Sequence, residues 1–273
     1  MTTTTTTKKD NVIVQVPQPL IHFPPFFPAQ VAEKGFSRTE ITEYGDIISI
    51  ASPRTPRVRE MLIFLACLTF LEDGKVEKDG STRLKLTVSG KEWRKRAGLG
   101  RTKRERERWE ESIKTLAALQ FDVEICGAVG KDGQIYKKRS NPVPYNRVIL
   151  SGILNDIKFR RKEDIVTFTI PKEFLKGIDI TGLRVPLTHL LALSGNISRL
   201  LAYTLYGRQA WLGTWEQLAA LAGISDWGES WKKKQALKKA LDELGQNGFL
   251  VTIGEEKIKI TRRKGLLGGI IET

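Results

Sequence analysis

The last third of the chain carries apolar residues at helical spacing. Asn196 can cap a helix whose apolar positions recur every three or four residues and therefore share one face. Thr214 can cap a second, short helix from Trp215 to Ala222, and Gly223 permits the left-handed backbone that ends it. The apolar face of the first of these helices consists of Ile197, Leu200, Leu201, Thr204 and Leu205.

A longer helix is predicted from Gly228 to Gln246, after the short joint Ile224–Trp227, and Gly248 ends it. Two helices joined by so short a turn form a helix-turn-helix. Since consecutive helical residues point about 100° apart, the apolar positions of the longer helix separate from the cationic ones. One side holds Leu237, Ala240, Leu241 and Leu244, and the opposite side holds Trp231, Lys232, Gln235, Lys239 and Asp242, with Lys238 on a flank.

The cationic side of this helix has the chemistry to read a DNA duplex, because the major groove is wide enough to admit a helix. Lys232 and Lys239 suit phosphates or guanine, and Gln235 suits the edge of an adenine. We therefore predict DNA contacts from Trp231, Lys232, Gln235, Lys238 and Lys239.

A basic β-hairpin is predicted directly after this helix. Its strands are Phe249–Ile253 and Lys257–Arg262, and lysines alternate with isoleucines in the second strand, so that bases share one face. Beside a helix-turn-helix, such a hairpin is a wing whose cations can line a phosphate backbone. The predicted wing contacts are Lys257, Lys259, Arg262 and Arg263. The alternative is a winged helix that contacts only protein.

The first half of the chain shows the same order of elements with a less regular pattern. Strand-like segments at Arg38–Tyr44 and Ile47–Ile50 precede a helix that should start at Thr55-Pro56 and reach about Leu71. A short alternating strand with Leu84, Leu86 and Val88 follows.

A weak internal repeat relates the two halves. The segment Ser89–Leu99 parallels Thr214–Ile224 at an offset of 125 residues, and both segments end in Ala-Gly plus a branched apolar residue. At the same offset, Leu116 and Leu119 correspond to Leu241 and Leu244, and strand 121–125 to strand 249–253. The repeat indicates domain duplication.

The helix predicted over Arg101–Leu119 supplies the candidate DNA contacts of the first half. Trp109, Ile113, Leu116 and Ala117 cluster on its apolar face. Our candidates for DNA contact are Arg101, Arg104 and Arg108. Alternatively, the interleaved glutamates pair with these arginines and hold a solvated helix. The long basic insert at residues 131–162 is either a large wing or a minor-groove arm.

These elements predict an α+β fold with two tandem winged-helix domains. We place the N-terminal domain at residues 36–180, the C-terminal domain at 181–264 and a C-terminal tail at 265–273. Residues 1–35 are expected to form a disordered or Pro-rich tail, with its first ten residues disordered. The proline-rich segment from Pro17 to Pro28 disfavours helix and central strand, and it either covers a domain or docks a partner.

The formal net charge of +14 favours polyanionic partners, and its distribution is uneven. Residues 91–114 carry ten Lys/Arg against five Glu, residues 131–162 nine against two Asp, and residues 228–264 ten against five acids. Each run alone is also compatible with a solvated surface. Three such runs in related positions favour the footprint of a nucleic-acid-binding protein.

Several other classes of protein are disfavoured by what the sequence lacks. The densest apolar run, Met61–Leu71, is about half the length of a bilayer crossing, so we expect no membrane association. The two cysteines lie in apolar surroundings, which is typical of a reducing cytoplasm. With two histidines and no Gly-x-x-x-x-Gly-Lys-Ser/Thr motif, we expect no metal site, no cofactor and no enzymatic activity.

Four stretches resemble plasmid replication initiators with tandem winged helices, of the RepC type found on IncQ broad-host-range plasmids. The likeness runs from about residue 36 to 264, and the terminal segments depart from it. The stretches are Thr42–Asp46, Thr169–Leu175, Ser198–Tyr203 and Lys257–Arg263.

This resemblance implies a double-stranded DNA partner, namely repeated sites (iterons) at an origin, and local opening of A·T-rich DNA. It also implies a replicative helicase as a partner and self-association through the N-terminal domain. Base contacts would come mainly from the C-terminal winged helix. The runner-up is a winged-helix transcriptional regulator that binds a palindrome; an RNA-binding or chromatin-like module and an enzyme with a distributed site remain further alternatives.

Overall fold

The structure is a computed structural model, and it describes most of the chain. The expected features that fall outside the described residues are the tail at 1–10, residues 42–46 with the end of a predicted strand and one stretch of the resemblance, the joint at 225–227, the first helical residues 228–230, the basic run 137–139 and the tail at 265–273. The described residues are 12–17, 20–21, 24–28, 35–41, 47–72, 76–77, 83–125, 128–129, 135–136, 146–151, 154–171, 174, 182–224 and 231–263.

The described part is a mixed α+β structure of seven helices and small antiparallel sheets, as the sequence predicts at this level. The helices are α1 (Val58–Glu72), α2 (Gly90–Arg96), α3 (Lys103–Ala117), α4 (Leu187–Ala192), α5 (Asn196–Leu205), α6 (Trp215–Leu221) and α7 (Trp231–Gln246).

The strands of the described part form five sheets, whose orders are β1-β12, β2-β3-β6-β9, β10-β11-β5-β4, β7-β8 and β13-β15-β14. Their bounds are β1 (Ile13–Pro17), β2 (Phe36–Ile41), β3 (Ile47–Ser52), β4 (Val76–Glu77), β5 (Arg83–Ser89), β6 (Gln120–Ile125), β7 (Ala128–Val129), β8 (Ile135–Tyr136), β9 (Asn146–Ser151), β10 (Asn155–Arg160), β11 (Ile165–Pro171), β12 (Gly182–Pro186), β13 (Ala210–Gly213), β14 (Phe249–Ile253) and β15 (Ile258–Arg262).

Described residues 35–171, the N unit, are organised around α1. Every residue from Met61 to Phe70 is buried, because α2, α3, α4, α5 and strand β1 pack against this helix. The Nε1–H of Trp93 in α2 donates to the carbonyl of Ile63 at 2.8 Å. The same indole lies edge-on to Trp109 of α3, with 5.5 Å between ring centroids. One apolar core therefore joins the three helices.

Described residues 182–263, the C unit, place four helices beside one three-stranded sheet. Leu237, Leu241 and Leu244 of α7 are buried, and so are Ile258 and Ile260 of β15. The sequence pattern predicted both of these apolar faces. α7 packs against α5 and β14, so the sheet and the helices share one core.

The internal repeat is confirmed at the level of individual hydrogen bonds. Ser89 and Thr214 each accept a bond from the backbone N–H three residues later, and Gly98 and Gly223 both have positive φ, +69° and +66°. The backbone bonds that end α2 and α6 join equivalent atoms. At the end of α2, the N–H groups of Ala97, Gly98 and Leu99 donate to the carbonyls of Trp93, Lys95 and Arg94, in that order. At the end of α6, the N–H groups of Ala222, Gly223 and Ile224 donate to the carbonyls of Leu218, Ala220 and Ala219.

The repeat differs from its predicted form in the strand after α3. The sequence matched β6 to β14, but β6 pairs with β3 and β9 in a separate sheet. The counterpart of the β14–β15 hairpin is β10–β11, because β11 pairs with β5 as β15 pairs with β13. The predicted correspondence between strands 121–125 and 249–253 was therefore wrong. The segment from β6 to β9 is inserted between the second helix of the repeat and its hairpin.

A strap formed by the described residues 12–28 covers both units. Its strand β1 pairs with β12, and Leu20, Ile21 and Phe26 are at most 1% exposed. The hydroxyl of Tyr203 in α5 donates to the carbonyl of Leu20 at 3.1 Å. The sequence left open whether this proline-rich segment covers a domain or docks a partner, and the structure packs its described residues Leu20, Ile21 and Phe26 into the core.

The strap also explains why α1 starts two residues later than the sequence predicted. The N–H of Phe27 donates to the carbonyl of Pro56 at 2.9 Å, and the N–H of Val58 donates to the carbonyl of Phe27 at 3.1 Å. Pro56 thus pairs with the strap, and the helix begins at Val58. The carboxylate of Glu60 then accepts the N–H of Arg57 at 2.8 Å.

Replacement of Phe26 by Ala should destabilise the whole chain. The ring lies 6.3 Å from that of Phe64 in α1 and 6.1 Å from that of Tyr203 in α5, so its loss leaves a cavity between the units. We expect the free energy of unfolding to fall by about 3–5 kcal/mol, measured by urea denaturation. The control is Leu250→Ala, at a side chain that is 56% exposed. Equal stability of both variants would show that the strap is not part of the core.

Candidate nucleic-acid interface

The second helix of the C-terminal repeat, α7, has one buried and one exposed side, as its sequence pattern predicted. Leu237 and Leu244 are fully buried, and the indole of Trp231 is 64% exposed. The other predicted contacts on this helix are also exposed; they are Lys232, Gln235, Lys238 and Lys239. The structure therefore brings the five side chains of the prediction together on one solvent-facing surface.

Glu243, which sequence reasoning missed, fixes α7 to the rest of the unit. Its carboxylate accepts the backbone N–H of Ser194 at 2.5 Å and that of Gly195 at 3.2 Å, and the hydroxyls of Ser194 and Ser198 at 2.8 and 2.5 Å. Gly195 is the N-cap of α5, where the sequence had predicted Asn196. Because Gly195 has no side chain to cap the helix, the carboxylate of α7 takes that role.

Burial would raise the pKa of Glu243, but the hydrogen bonds from Ser198, Ser194 and Gly195 outweigh it and lower the pKa. The carboxylate therefore stays ionised when α7 is docked. A local sequence signal for this contact is lacking, because the partners are more than forty residues apart.

The end of α7 is held by a second contact, which is partly buried. His189 of α4 bonds through Nδ1 to the hydroxyl of Tyr206 and through Nε2 to the carbonyl of Asn247 at 2.5 Å. Burial lowers the pKa of His189, so the imidazole is neutral near pH 7. The amide of Asn247 in turn donates to the carbonyl of Glu243 at 2.8 Å. The contacts of this histidine are thus structural.

Three of the four predicted contacts of the β14–β15 hairpin are exposed. Lys257, Lys259 and Arg263 face solvent, whereas Ile258 and Ile260 point inward, as the alternation predicts. Arg262 differs from the prediction. It shares the inward face of the isoleucines and donates from Nη1 to the carbonyl of Tyr206 at 2.7 Å. Burial lowers the pKa of this guanidinium.

In the N unit, the predicted arginines at the start of α3 and within it differ in whether they pair with an acidic side chain. Arg101 and Arg104 are exposed and have no acidic partner among the described residues. Arg108 lies 3.4 Å from Glu105, which also pairs with Arg59 at 3.1 Å. The alternative of arginines paired with glutamates therefore holds for Arg108, whereas DNA contact by Arg101 and Arg104 stays a prediction.

A cationic hairpin lies beside α3, and its first strand and the start of its turn are the end of the basic insert 131–162, which the sequence indicated was either a large wing or a minor-groove arm. Lys158 and Lys162 are exposed on β10 and on the turn that joins β10 to β11. This turn is tied to the helices, because Arg161 pairs with Glu110 of α3 at 2.9 Å and Asp164 with Arg94 of α2 at 2.8 Å. The sequence signal for the second strand of this hairpin, β11, was the alternation of apolar residues in Ile165–Ile170.

Among the described residues, no group of three or more His, Cys, Asp or Glu is arranged to hold a metal ion. In the same part of the chain, no helix is both long and apolar enough to cross a membrane.

No protein-family model matches the chain, and no curated protein matches it. Its fold is similar to that of two solved structures. The first is the crystal structure of selenomethionine derivatives of domains 2 and 3 of RctB. It has a TM-score of 0.55 and a sequence identity of 11%, and the match covers 90% of this chain and 98% of that chain. The other, of RctB domains 2–3, has a TM-score of 0.51 and 10% identity, with coverages of 89% and 96%.

The fold thus places the chain in the same structural class as domains 2 and 3 of RctB. Neither of these structures is of a RepC protein, so the narrower resemblance to RepC-like initiators stays a prediction.

Replacement of Glu243 by Gln should loosen α7 and change the pH dependence of stability. Because the folded pKa is lowered, the ionised carboxylate stabilises the fold above its ordinary pKa of 4.5, and this contribution is lost as the pH falls through the folded pKa. We expect the variant to lose about 1–2 kcal/mol at neutral pH, and less at about pH 3, which lies below the ordinary pKa. Thermal melts followed by circular dichroism measure both, with Asp242→Asn as the exposed control. A constant difference at both pH values would contradict the carboxylate cap.

Proposed function

We propose that this protein is a DNA-binding replication initiator, built from two winged-helix units, that recognises repeated sites at a plasmid origin. RctB is a replication initiator, and the similarity of fold supports an initiator in general. The observation that carries the proposal is the exposed cationic side of α7, which lies opposite a buried apolar side.

The groove-binding role of α7 is supported by how its side chains are divided. Its buried leucines and the Glu243 cap hold the helix from behind, so the exposed side keeps a fixed orientation. Among the described residues, the side chains of Lys232, Gln235, Lys238 and Lys239 have no hydrogen-bond or ion-pair partner. Unpaired cations on a rigid helix fit phosphates and base edges without first breaking contacts within the protein.

The winged-helix interpretation is supported by the order of elements in both units. In each unit, a strand is followed by a short capped helix, a longer helix and a hairpin that pairs back with the strand. We infer that β10–β11 and β14–β15 are the two wings. Their exposed cations are Lys158 and Lys162 in the first, and Lys257 and Lys259 in the second.

The remaining steps of initiation follow from binding several sites in a row. We propose that protomers on contiguous repeats bend the DNA and open the adjacent A·T-rich segment, after which a replicative helicase is recruited. Bending energy drawn from many contacts would replace the hydrolysis of ATP. The N unit would supply self-association, and the chain would act by binding and not by catalysis.

Footprinting on the DNA that flanks the gene tests the proposal against its runner-up. An initiator should protect several direct repeats at regular spacing. Protection of one inverted repeat would instead identify a transcriptional regulator that binds a palindrome. Uniform protection without sequence preference would identify a chromatin-like module.

Replacement of Gln235 by Ala should relax base preference at one position of the site. A good bidentate contact to adenine contributes about 1–3 kcal/mol of discrimination, so the preference for that base should fall roughly tenfold. Competition binding with sites that vary at single positions measures the change. The matched control is Gln246→Ala, which is exposed at the far end of the same helix. Unchanged preference at every position would show that the helix is oriented differently.

Replacement of Lys259 by Ala should weaken binding to all sequences alike. Each lost phosphate contact lowers the slope of log K against log salt by about 0.9. Arg262→Ala removes an equal charge, but it should leave the slope unchanged and instead destabilise the fold, because its guanidinium holds Tyr206. Binding titrations at several salt concentrations, together with thermal melts, separate the two effects. Equal slopes for Lys259→Ala and the parent protein would exclude the lysine from the interface.

A further inference from the structure

A cleft of about 720 Å³ lies between the two units and has no part in the proposed DNA interface. Its walls come from the strap and β12, from the exposed side of α2 together with Thr69 of α1, and from α4. This volume is within the range of small-molecule sites, which occur preferentially where domains meet. The lining residues are Val12, Ile13, Gln15, Thr69, Glu92, Lys95, Arg96, Arg184, Leu187, Thr188 and Leu191.

Positively charged side chains outnumber negatively charged ones in the lining of the cleft. Glu92 is the only acid of the lining, and it pairs with Arg96 at 3.1 Å. Arg96 also donates to the hydroxyl of Thr69 at 2.7 Å and lies over the ring of Phe70 at 4.2 Å. The guanidinium of Arg96 and the carboxylate of Glu92 are therefore paired with each other within the protein. The other cations of the cleft have no acidic partner in its lining.

Those cations are Lys95 of α2 and Arg184 of β12. Both side chains are exposed, and neither of them has a hydrogen bond or an ion pair to any other described residue. They come from different walls, since α2 belongs to the N unit, whereas β12 pairs with β1 of the strap. A polyanion placed between them would relieve their mutual repulsion.

The cleft also has an apolar wall, which inorganic phosphate would leave uncovered. Val12 is 40% exposed, and Ile13 and Leu191 are partly exposed on the same cleft. The hydroxyl of Thr188 already accepts the N–H of Val12 at 3.0 Å, which fixes this wall. A ligand that fills the cleft therefore needs a weakly polar part as well as charged groups.

We propose that the cleft binds a nucleoside di- or triphosphate, with its base against Val12, Ile13 and Leu191 and its phosphates between Lys95 and Arg184. The sequence has no glycine-rich phosphate loop, so side chains hold the phosphates. Because the strap and both units form the walls, the site exists only in the assembled molecule. Bound nucleotide therefore stabilises the assembled arrangement of the units.

Calorimetric titration of the full chain with ATP at about 150 mM salt tests the proposal. Since a chain with a net charge of +14 attracts any polyanion, the variants decide the result. The double variant Lys95→Ala, Arg184→Ala should bind ATP at least about tenfold more weakly. The charge-matched control Lys257→Ala, Arg263→Ala, at the β14–β15 hairpin, should bind ATP like the parent protein.

The remaining titrations identify the ligand class. Adenosine and inorganic triphosphate should each bind more weakly than ATP, because each lacks one half of the contacts. Equal binding of triphosphate and ATP would overturn the assignment of the base to the apolar wall. Equal losses in both double variants would show binding to the general positive surface. If only the Lys95, Arg184 variant loses affinity for DNA and the parent binds no ATP, the cleft holds a DNA phosphate and the proposal is wrong. Each of these outcomes leaves the footprinting test unaffected.

Discussion

The burial of Phe26 between Phe64 and Tyr203 is the contact on which the architecture depends. These three rings belong to the strap, to α1 and to α5, so a single apolar cluster joins the terminal segment to both units. The neighbouring Phe27 and Pro28 reach two further points, the start of α1 and the turn at Gly223. The strap is thus the element through which α3 and α7 are held in one body, although it comes from the least regular part of the sequence.

Local patterns in the sequence predicted the elements that bear the candidate site. The apolar positions of α7 recur at helical spacing, and the lysine and isoleucine residues of β15 alternate, so a single helix or strand determines which side chains are exposed. Hydroxyl caps at Ser89 and Thr214 and the glycines Gly98 and Gly223 were equally readable, because each depends on residues within one turn. The fold class and the paired helices followed from these signals.

Contacts between distant residues could not be predicted in this way. The pairing of β6 with β3 and β9 depends on which sheet edge is free, and the alternation of a strand does not specify its partner. Arg262 looked like one more cation of the hairpin, yet its place on the inward face is set by the carbonyl of Tyr206, 56 residues away. Glu243 was missed for the same reason, since its partners lie in another helix.

The anchoring of α7 by Leu237, Leu241 and Glu243 has a consequence for how recognition can evolve. All the residues that dock the helix lie on the side that faces the protein, and the residues proposed to touch DNA lie on the other. Substitutions on the outer side change the sequence that is read without disturbing the docking. A lineage of such proteins can therefore acquire new target sites by single substitutions on a constant scaffold, and the same surface is a natural starting point for engineered specificity.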